Sequence, residues 1–326
     1  MRRRTFVVAM VVLLAPAAAA WPWGHRAHRI VSRQAVALLP EPLRTFYAKH
    51  ADYLTNHSID PDLWSMEKTY PAYTHYIDLD LLEEAPFENI PKTWDDALAK
   101  YGEARLKQAG TLPWEIARRK DELTAAFREA RWEDVVRQSA WIAHYLADAT
   151  MPMHTTKDYL GRDAGNIVLE ERGPNRSVHH RLEWGLFEKL PQRCEGIAGD
   201  PGNVSPLDDV LAESWKTVRH SWTLIPPVLA ADRAAAAADD SFGETYYRYL
   251  DGVMRPLVSQ QLRRSQELVA SVWLSAWEDA GRPELPRTSW PGAIDIVIIA
   301  AAVIVLVGGG FYWRYRMIRE HLRRKG

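Results

Sequence analysis

Two histidine–carboxylate pairs in this chain are each set four residues apart. His144 and Asp148 lie in the run His144-Tyr-Leu-Ala-Asp148-Ala-Thr-Met-Pro-Met-His154, and His179 and Glu183 in His179-His-Arg-Leu-Glu183. On a helix, residues i and i+4 share a face one turn apart, so each pair presents an imidazole beside a carboxylate. Pro152 breaks the first helical pattern, and His154 follows at the break. Groups of the same chemical type come earlier: His28, Asp62 just after Pro61, and His75. A His/Asp/Glu set of this kind suits Zn²⁺. Each residue alone has an ordinary alternative. His28 can be a polar helix start, His75 a satisfied core histidine, Glu183 a solvated helix face, and His144–Asp148 a half-buried ion pair. Two pairs at helical spacing, with His154 added, favour metal binding over that set of coincidences.

Taken in order, these residues resemble the superfamily of bacterial zinc-dependent phospholipases C and the single-strand-specific fungal and plant nucleases typified by nuclease P-one. The likeness rests on His28-Arg-Ile-Val, Pro61-Asp62, His75-Tyr-Ile-Asp78-Leu-Asp80, the His144–His154 run and His179–Glu183. It implies a multi-helix, all-α domain with three Zn²⁺ ions. The first would be held by Asp62, His75, His144 and Asp148. The second would be held by the α-amino group and carbonyl of a mature N-terminal tryptophan, by His28 and by a bridging Asp148. The third would be held by His154, His179 and Glu183, with positions open for water and phosphate. The implied reaction is hydrolysis of a phosphodiester by a metal-activated hydroxide, with Asp62 also orienting or deprotonating the attacking water.

Two choices stay open at this level. Asp60 is an alternative to Asp62, and His25 an alternative to His28. The substrate also divides the resemblance. Glu183 as last ligand, Pro61-Asp62 and His75-Tyr-Ile-Asp78 lean to a phospholipid. Asp163-Ala-Gly-Asn166 resembles the nuclease loop and leans to single-stranded nucleic acid, with Asp163 and Asn166 near substrate and Asn166 orienting phosphate. The same Asp-x-Gly-Asn run also suits a turn. A non-catalytic, zinc-stabilised membrane-anchored protein is the alternative of a different class.

The elements that must position these residues are almost all helical. Apolar residues recur at helical spacing over 28–39, and again over 43–54 beyond Pro40 and Pro42. Further helices are expected at 94–109, 114–130, 132–149, 177–190 and 207–229, the last interrupted by Pro226-Pro227. Residues 242–280 read as one long helix or two, and the Ala-rich run 230–238 as helix or tolerant connector. Residues 57–64 read as a turn, 70–80 as extended, and 167–169 as a short strand. An all-α domain over 21–281 follows.

The 326 residues carry a net charge of −1, so no global basic field points to duplex nucleic acid. Arg2, Arg3 and Arg4, the apolar run 6–14 and the small residues 17–20 read as a secretory signal peptide over 1–20. Cleavage after Ala20 exposes Trp21. Trp23 has the nuclease-like spacing to His28, but it would require cleavage after Pro22. Prolines 283, 286 and 291 mark a stiff linker over 282–293, and residues 294–313 an apolar transmembrane helix. The Arg-rich tail, 314–326, is expected in the cytoplasm and the catalytic domain outside, in the periplasm or beyond. Cys194 is the sole cysteine, so no disulfide framework supports the exported domain. Some of the fourteen tryptophans are expected to line a site or a membrane-facing surface.

Overall fold

A computed structural model describes residues 24–169, 176–190 and 204–286. Among these residues there are helices and turns and no strand. The chain divides into two compact units, Met1–Pro283 and Glu284–Gly326, and nearly all of the second lies outside the described residues. The expected signal peptide, Trp21, Trp23, Cys194, most of the expected linker, the expected membrane span and the basic tail also lie outside them. Among the described residues no helix is long and apolar enough to cross a membrane.

The first unit begins with α1 (His25–Leu38), α2 (Leu43–Ala48), α3 (Ala51–His57) and α4 (Asp60–Met66). The expected helix over 43–54 is thus two helices with a break at Lys49–His50. The expected turn over 57–64 contains α4 instead. Pro61 sits in its first turn, where a missing N–H costs no helical hydrogen bond. Residues 70–80 are not extended either: a 3₁₀ turn (Ala72–Thr74) precedes His75, and α5 (Leu79–Leu82) follows.

The expected helix over 94–109 splits at Gly102 into α6 (Trp94–Tyr101) and α7 (Glu103–Ala109). Gly102 has φ 75°, a left-handed conformation that ends a helix and that glycine adopts without a Cβ penalty. Next come α8 (Leu112–Arg128) and α9 (Trp132–Ala149), which carries His144 and Asp148, and then a 3₁₀ turn (Pro152–His154). The second pair lies on a helix that changes pitch. Its parts are α10 (Val178–His180), a π segment (Arg181–Gly185) and α11 (Leu186–Lys189). Ser177 caps its start by accepting from the His180 N–H at 3.2 Å. The expected strand at 167–169 is absent; one backbone bond, Leu169 N–H to the Arg176 carbonyl, joins the two sides of that loop.

Helices α12 (Val210–Thr223) and α13 (Ile225–Ala238) meet at the expected proline pair, which falls in the first turn of α13. The Ala-rich run is helical. A single helix, α14 (Glu244–Asp279), closes the unit with Pro256 inside it.

The core forms where α8, α9, α1, α13 and α14 pack on one another. Among the described tryptophans, Trp114, Trp215 and Trp273 are buried and Trp94 is exposed. Trp273 is fully buried, stacks on Tyr47 at 4.6 Å and donates to the Ser139 carbonyl on α9 at 3.1 Å. Trp114 and Trp215 pack edge to face, and both indole N–H groups donate to the Lys92 carbonyl. A buried tryptophan needs such an acceptor for its indole N–H. The Trp273 bond ties α14 to α9, the helix that carries His144 and Asp148.

Candidate metal centre

The fold gathers eight of the nine expected ligands. His28 comes from α1, Asp62 from α4, His75 from the turn after the 3₁₀ segment, and His144 and Asp148 from α9. His154 comes from the 3₁₀ turn beyond α9, and His179 and Glu183 from α10 and the π segment. Three groups have ligand atoms close enough together to hold a metal ion: His28–His144–Asp148, Asp62–His75–His144 and His154–His179–Glu183. All of these residues are buried except His179, which is partly exposed.

Asp148 occupies the middle. Its Oδ2 is 3.1 Å from His75 Nδ1 and 3.2 Å from His144 Nε2, while its Oδ1 faces His28 Nε2 at 3.5 Å and His154 Nδ1 at 3.7 Å. One carboxylate therefore presents an oxygen to each of two groups, the arrangement a bridging ligand requires. Asp62 Oδ1 lies 3.3 Å from His144 Nε2 and 3.6 Å from His75 Nδ1. In the third group His154 Nε2 is 3.2 Å from Glu183 Oε1 and 3.0 Å from His179 Nε2, and His179 also contacts Glu183 Oε2.

Two of the five imidazoles, His144 and His154, are held in a metal-binding tautomer by backbone oxygens. His144 Nδ1 donates to the Ser58 carbonyl at 2.9 Å, and His154 Nδ1 to the His75 carbonyl at 2.8 Å. Each bond leaves the Nε2 lone pair pointing into its group. A second ring nitrogen anchored on a carbonyl is the usual support of a ligating histidine. Sequence reasoning missed Ser58 because only its backbone acts, and no side-chain pattern reports that.

The buried polar atoms provide a direct test of fit. Both oxygens of Asp62, Asp148 Oδ1, both oxygens of Glu183, both nitrogens of His28 and His75 Nε2 are buried without a hydrogen-bond partner. Several of them sit close enough to an oppositely charged group for Coulomb attraction, yet without hydrogen-bond geometry. So many unpaired buried polar atoms in one place would be costly in a merely structural cluster. A cation in each group would satisfy the carboxylate oxygens and His28 Nε2 together, so the donor set fits a metal, while His28 Nδ1 and His75 Nε2 lie on the ring edges away from the groups.

The electrostatics agree. Burial disfavours the charged form of Asp148, but His144 and His154 outweigh it and hold the carboxyl well below its ordinary range. Burial likewise opposes charge on Glu183, and His179 with His154 brings it down to about 2. His154 is raised to about 9 because Glu183 and Asp148 overcome the burial that would lower it. His28 moves the other way: burial, helped by His144, keeps it well below 6.5 and neutral. Burial also raises Asp62.

Geometry resolves the two open choices. Asp60 is turned away, bonded to His57 Nδ1 at 2.9 Å and to the Trp141 indole at 3.2 Å, so Asp62 is the carboxylate in the cluster. His28, not His25, belongs to a ligand group. The chain just beyond the expected N-terminal tryptophans reaches the third group, since the Gly24 N–H donates to the Glu183 carbonyl at 2.9 Å.

Asp163 and Asn166 stand apart from the cluster. Asp163 is exposed. Asn166 is buried, and its amide donates to the Leu229 carbonyl and to Asp232 at 2.9 and 2.7 Å, which commits it to bracing α13. Asp62, His75, His154 and His179 instead face a cleft of about 320 Å³ whose other walls include Tyr76, Asp78, Tyr159 and Arg176. Asp78 has its carboxyl pushed up to about 7 by burial and by neighbouring Asp80, against the pull of His154.

No family model matches the chain, and no curated protein matches it.

Proposed function

We propose that this protein is a zinc-dependent phosphoric ester hydrolase of the phospholipase C type, with three Zn²⁺ ions in the cluster and a phospholipid as substrate. The observation that carries the reading is Asp148: a buried carboxylate with one oxygen toward each of two histidine groups and within 3.7 Å of His154 of a third, behind a cleft that His75, His154 and Asp62 line. Zn²⁺ held there supplies Lewis-acid charge that lowers the pKa of water and offsets the charge developing on phosphate oxygens. Asp62, facing the cleft, accepts the proton of the attacking water. Arg176 on the cleft wall attracts the anionic phosphodiester. Asp78, on the cleft wall, can pass a proton to the departing oxygen.

The phospholipid reading is preferred to single-stranded nucleic acid because the nuclease-like loop does not contribute its asparagine to the cleft. The Asn166 amide is already bonded to α13. Export and tethering belong to the same reading. The terminal segments at 1–20 and 294–326 have the composition of a signal peptide and of an apolar span with a basic tail, and a tether keeps a lipase near its substrate.

The test is a side-by-side assay of the purified exported domain on phosphatidylcholine and on single-stranded DNA, with zinc measured on the same sample. Release of phosphocholine with close to three zinc per chain is expected. Cleavage of DNA alone would move the protein to the nuclease reading. A full metal complement with neither activity would favour the non-catalytic alternative.

A further inference from the structure

The face of the π segment opposite the third metal group carries a second buried charge system. Arg181 lies two residues after His179 and two before Glu183. At roughly 100° per residue it points about 200° away from both, to the back of the helix. Its side chain is fully buried. Its Nε donates to Asp232 Oδ1 at 2.7 Å and its Nη2 to Asp232 Oδ2 at 2.8 Å, a two-point grip. Nη2 also donates to the Ile167 carbonyl at 3.0 Å. Asp232 accepts further bonds from the Asn166 amide and the Tyr246 hydroxyl. Four donors fill the acceptor capacity of one carboxylate. The guanidinium also lies over the Phe242 ring at 4.3 Å. The 161–167 loop, α13 and the start of α14 thus converge on one residue of the ligand helix.

We propose that the Arg181–Asp232 pair is a positioning device for the His154–His179–Glu183 group, so that the affinity of that site for its metal ion is set from the far face of the helix. The proposal rests on the reading that this group holds a metal. The ligand helix is built of pieces of three, five and four residues with a change of pitch between them. Pieces this short do not hold their orientation alone. A π turn also displaces the side chains that follow it relative to those before, so the separation of His179 from Glu183 depends on what clamps that turn. Tyr247 closes it from the α14 side: a Cβ at Gly185 would lie 2.0 Å from the Tyr247 hydroxyl, so only glycine fits there. Arg181 clamps it by directed bonds. A buried ion pair of this kind adds little net stability over an apolar pair of equal volume, but its geometry is specific.

That contrast defines the experiment. Zinc affinity is measured by chelator competition, well below the melting temperature, on wild type, Tyr246→Phe and the double variant Arg181→Met/Asp232→Leu. The double variant replaces the pair by apolar side chains and leaves no lone buried charge. It is expected to melt cooperatively, below the wild-type temperature because the Asn166 amide and Tyr246 hydroxyl lose their acceptor, and to keep two zinc ions at wild-type affinity. The remaining ion should bind about 10- to 100-fold more weakly, the usual cost of losing a residue that orients a ligand. Tyr246→Phe removes one bond to Asp232, should fold normally, and should weaken the same ion alone by a smaller factor.

Wild-type affinity for all three ions in the folded double variant would overturn the proposal and leave the metal reading intact. If the double variant does not fold, unchanged affinity in Tyr246→Phe overturns it equally. A wild-type protein that takes up only two ions, with Glu183→Gln still holding both, would remove the metal reading of this group and the proposal with it.

Discussion

Replacing Asp148 by asparagine keeps the side-chain shape and removes one charge from the middle of the cluster. Asp148 Oδ2 lies within about 3.2 Å of His75 and His144, and Oδ1 faces His28 at 3.5 Å, so the loss falls on two groups together. The His154–His179–Glu183 group keeps its own carboxylate. Zinc should therefore fall from three ions per chain to about one, and phosphodiesterase activity should disappear. The stability change follows from linkage: an ion that binds only the folded state at 100 times its dissociation constant adds about 2.7 kcal/mol. Two lost sites are then worth roughly 5 kcal/mol, or on the order of 10 °C in melting temperature for a domain of this size.

The comparison must be made twice, with zinc and with chelator. In the metal-free chain Asp148 still pairs with His144, so the substitution costs stability there as well. The diagnostic quantity is the zinc-induced rise in melting temperature, which should shrink in Asp148→Asn to the share of the remaining site. Asp163→Asn, on an exposed loop position, should leave metal content and the zinc-induced rise unchanged. Full zinc and full activity in Asp148→Asn would refute the bridging assignment.

Three further outcomes are expected. Glu183→Gln should lose one zinc ion per chain and keep two, which elemental analysis reads directly. In metal-free protein Asp78→Asn should melt like wild type near pH 4 and above it at pH 8. The Asp78 carboxyl is raised from 3.8 to about 7 on folding, so its contribution is fully present below pH 3.8 and is lost as pH rises through 7. Up to roughly 4 kcal/mol separates the two proteins at the upper end, and equal melting at pH 8 would contradict the shift. N-terminal sequencing of the secreted form should return Trp21. A start at Trp23 would show that the spacing to His28, rather than the small residues at 17–20, marks the cut.

The sequence by itself determined the local half of this protein. Helical period put His144 over Asp148 on one face, and α9 spans the residues the pattern marks, Trp132–Ala149. Turn chemistry ended that helix before Pro152 and placed His154 at its exit, and helical spacing of apolar residues marked a fold whose described residues are helices and turns. These features are legible because each depends on neighbours a few residues away. Where a local signal was weak, the packing overruled it. Most of the expected turn over 57–64 became the helix Asp60–Met66 with proline in its first turn, and one expected helix broke at Gly102.

Only the tertiary structure decided which distant groups meet. Asp60 and Asp62 are both acidic and two residues apart, but α4 turns one toward His57 and Trp141 and the other toward His144. His28 rather than His25 enters the cluster because α1 packs that side of itself on α9. Asn166, which by type suits a phosphate, is drawn instead into the bonds that hold Asp232 and Arg181. Spacing along a chain records which side chains share a helix face. What that face meets depends on how several helices bury their apolar stripes at once, and no single segment contains that information.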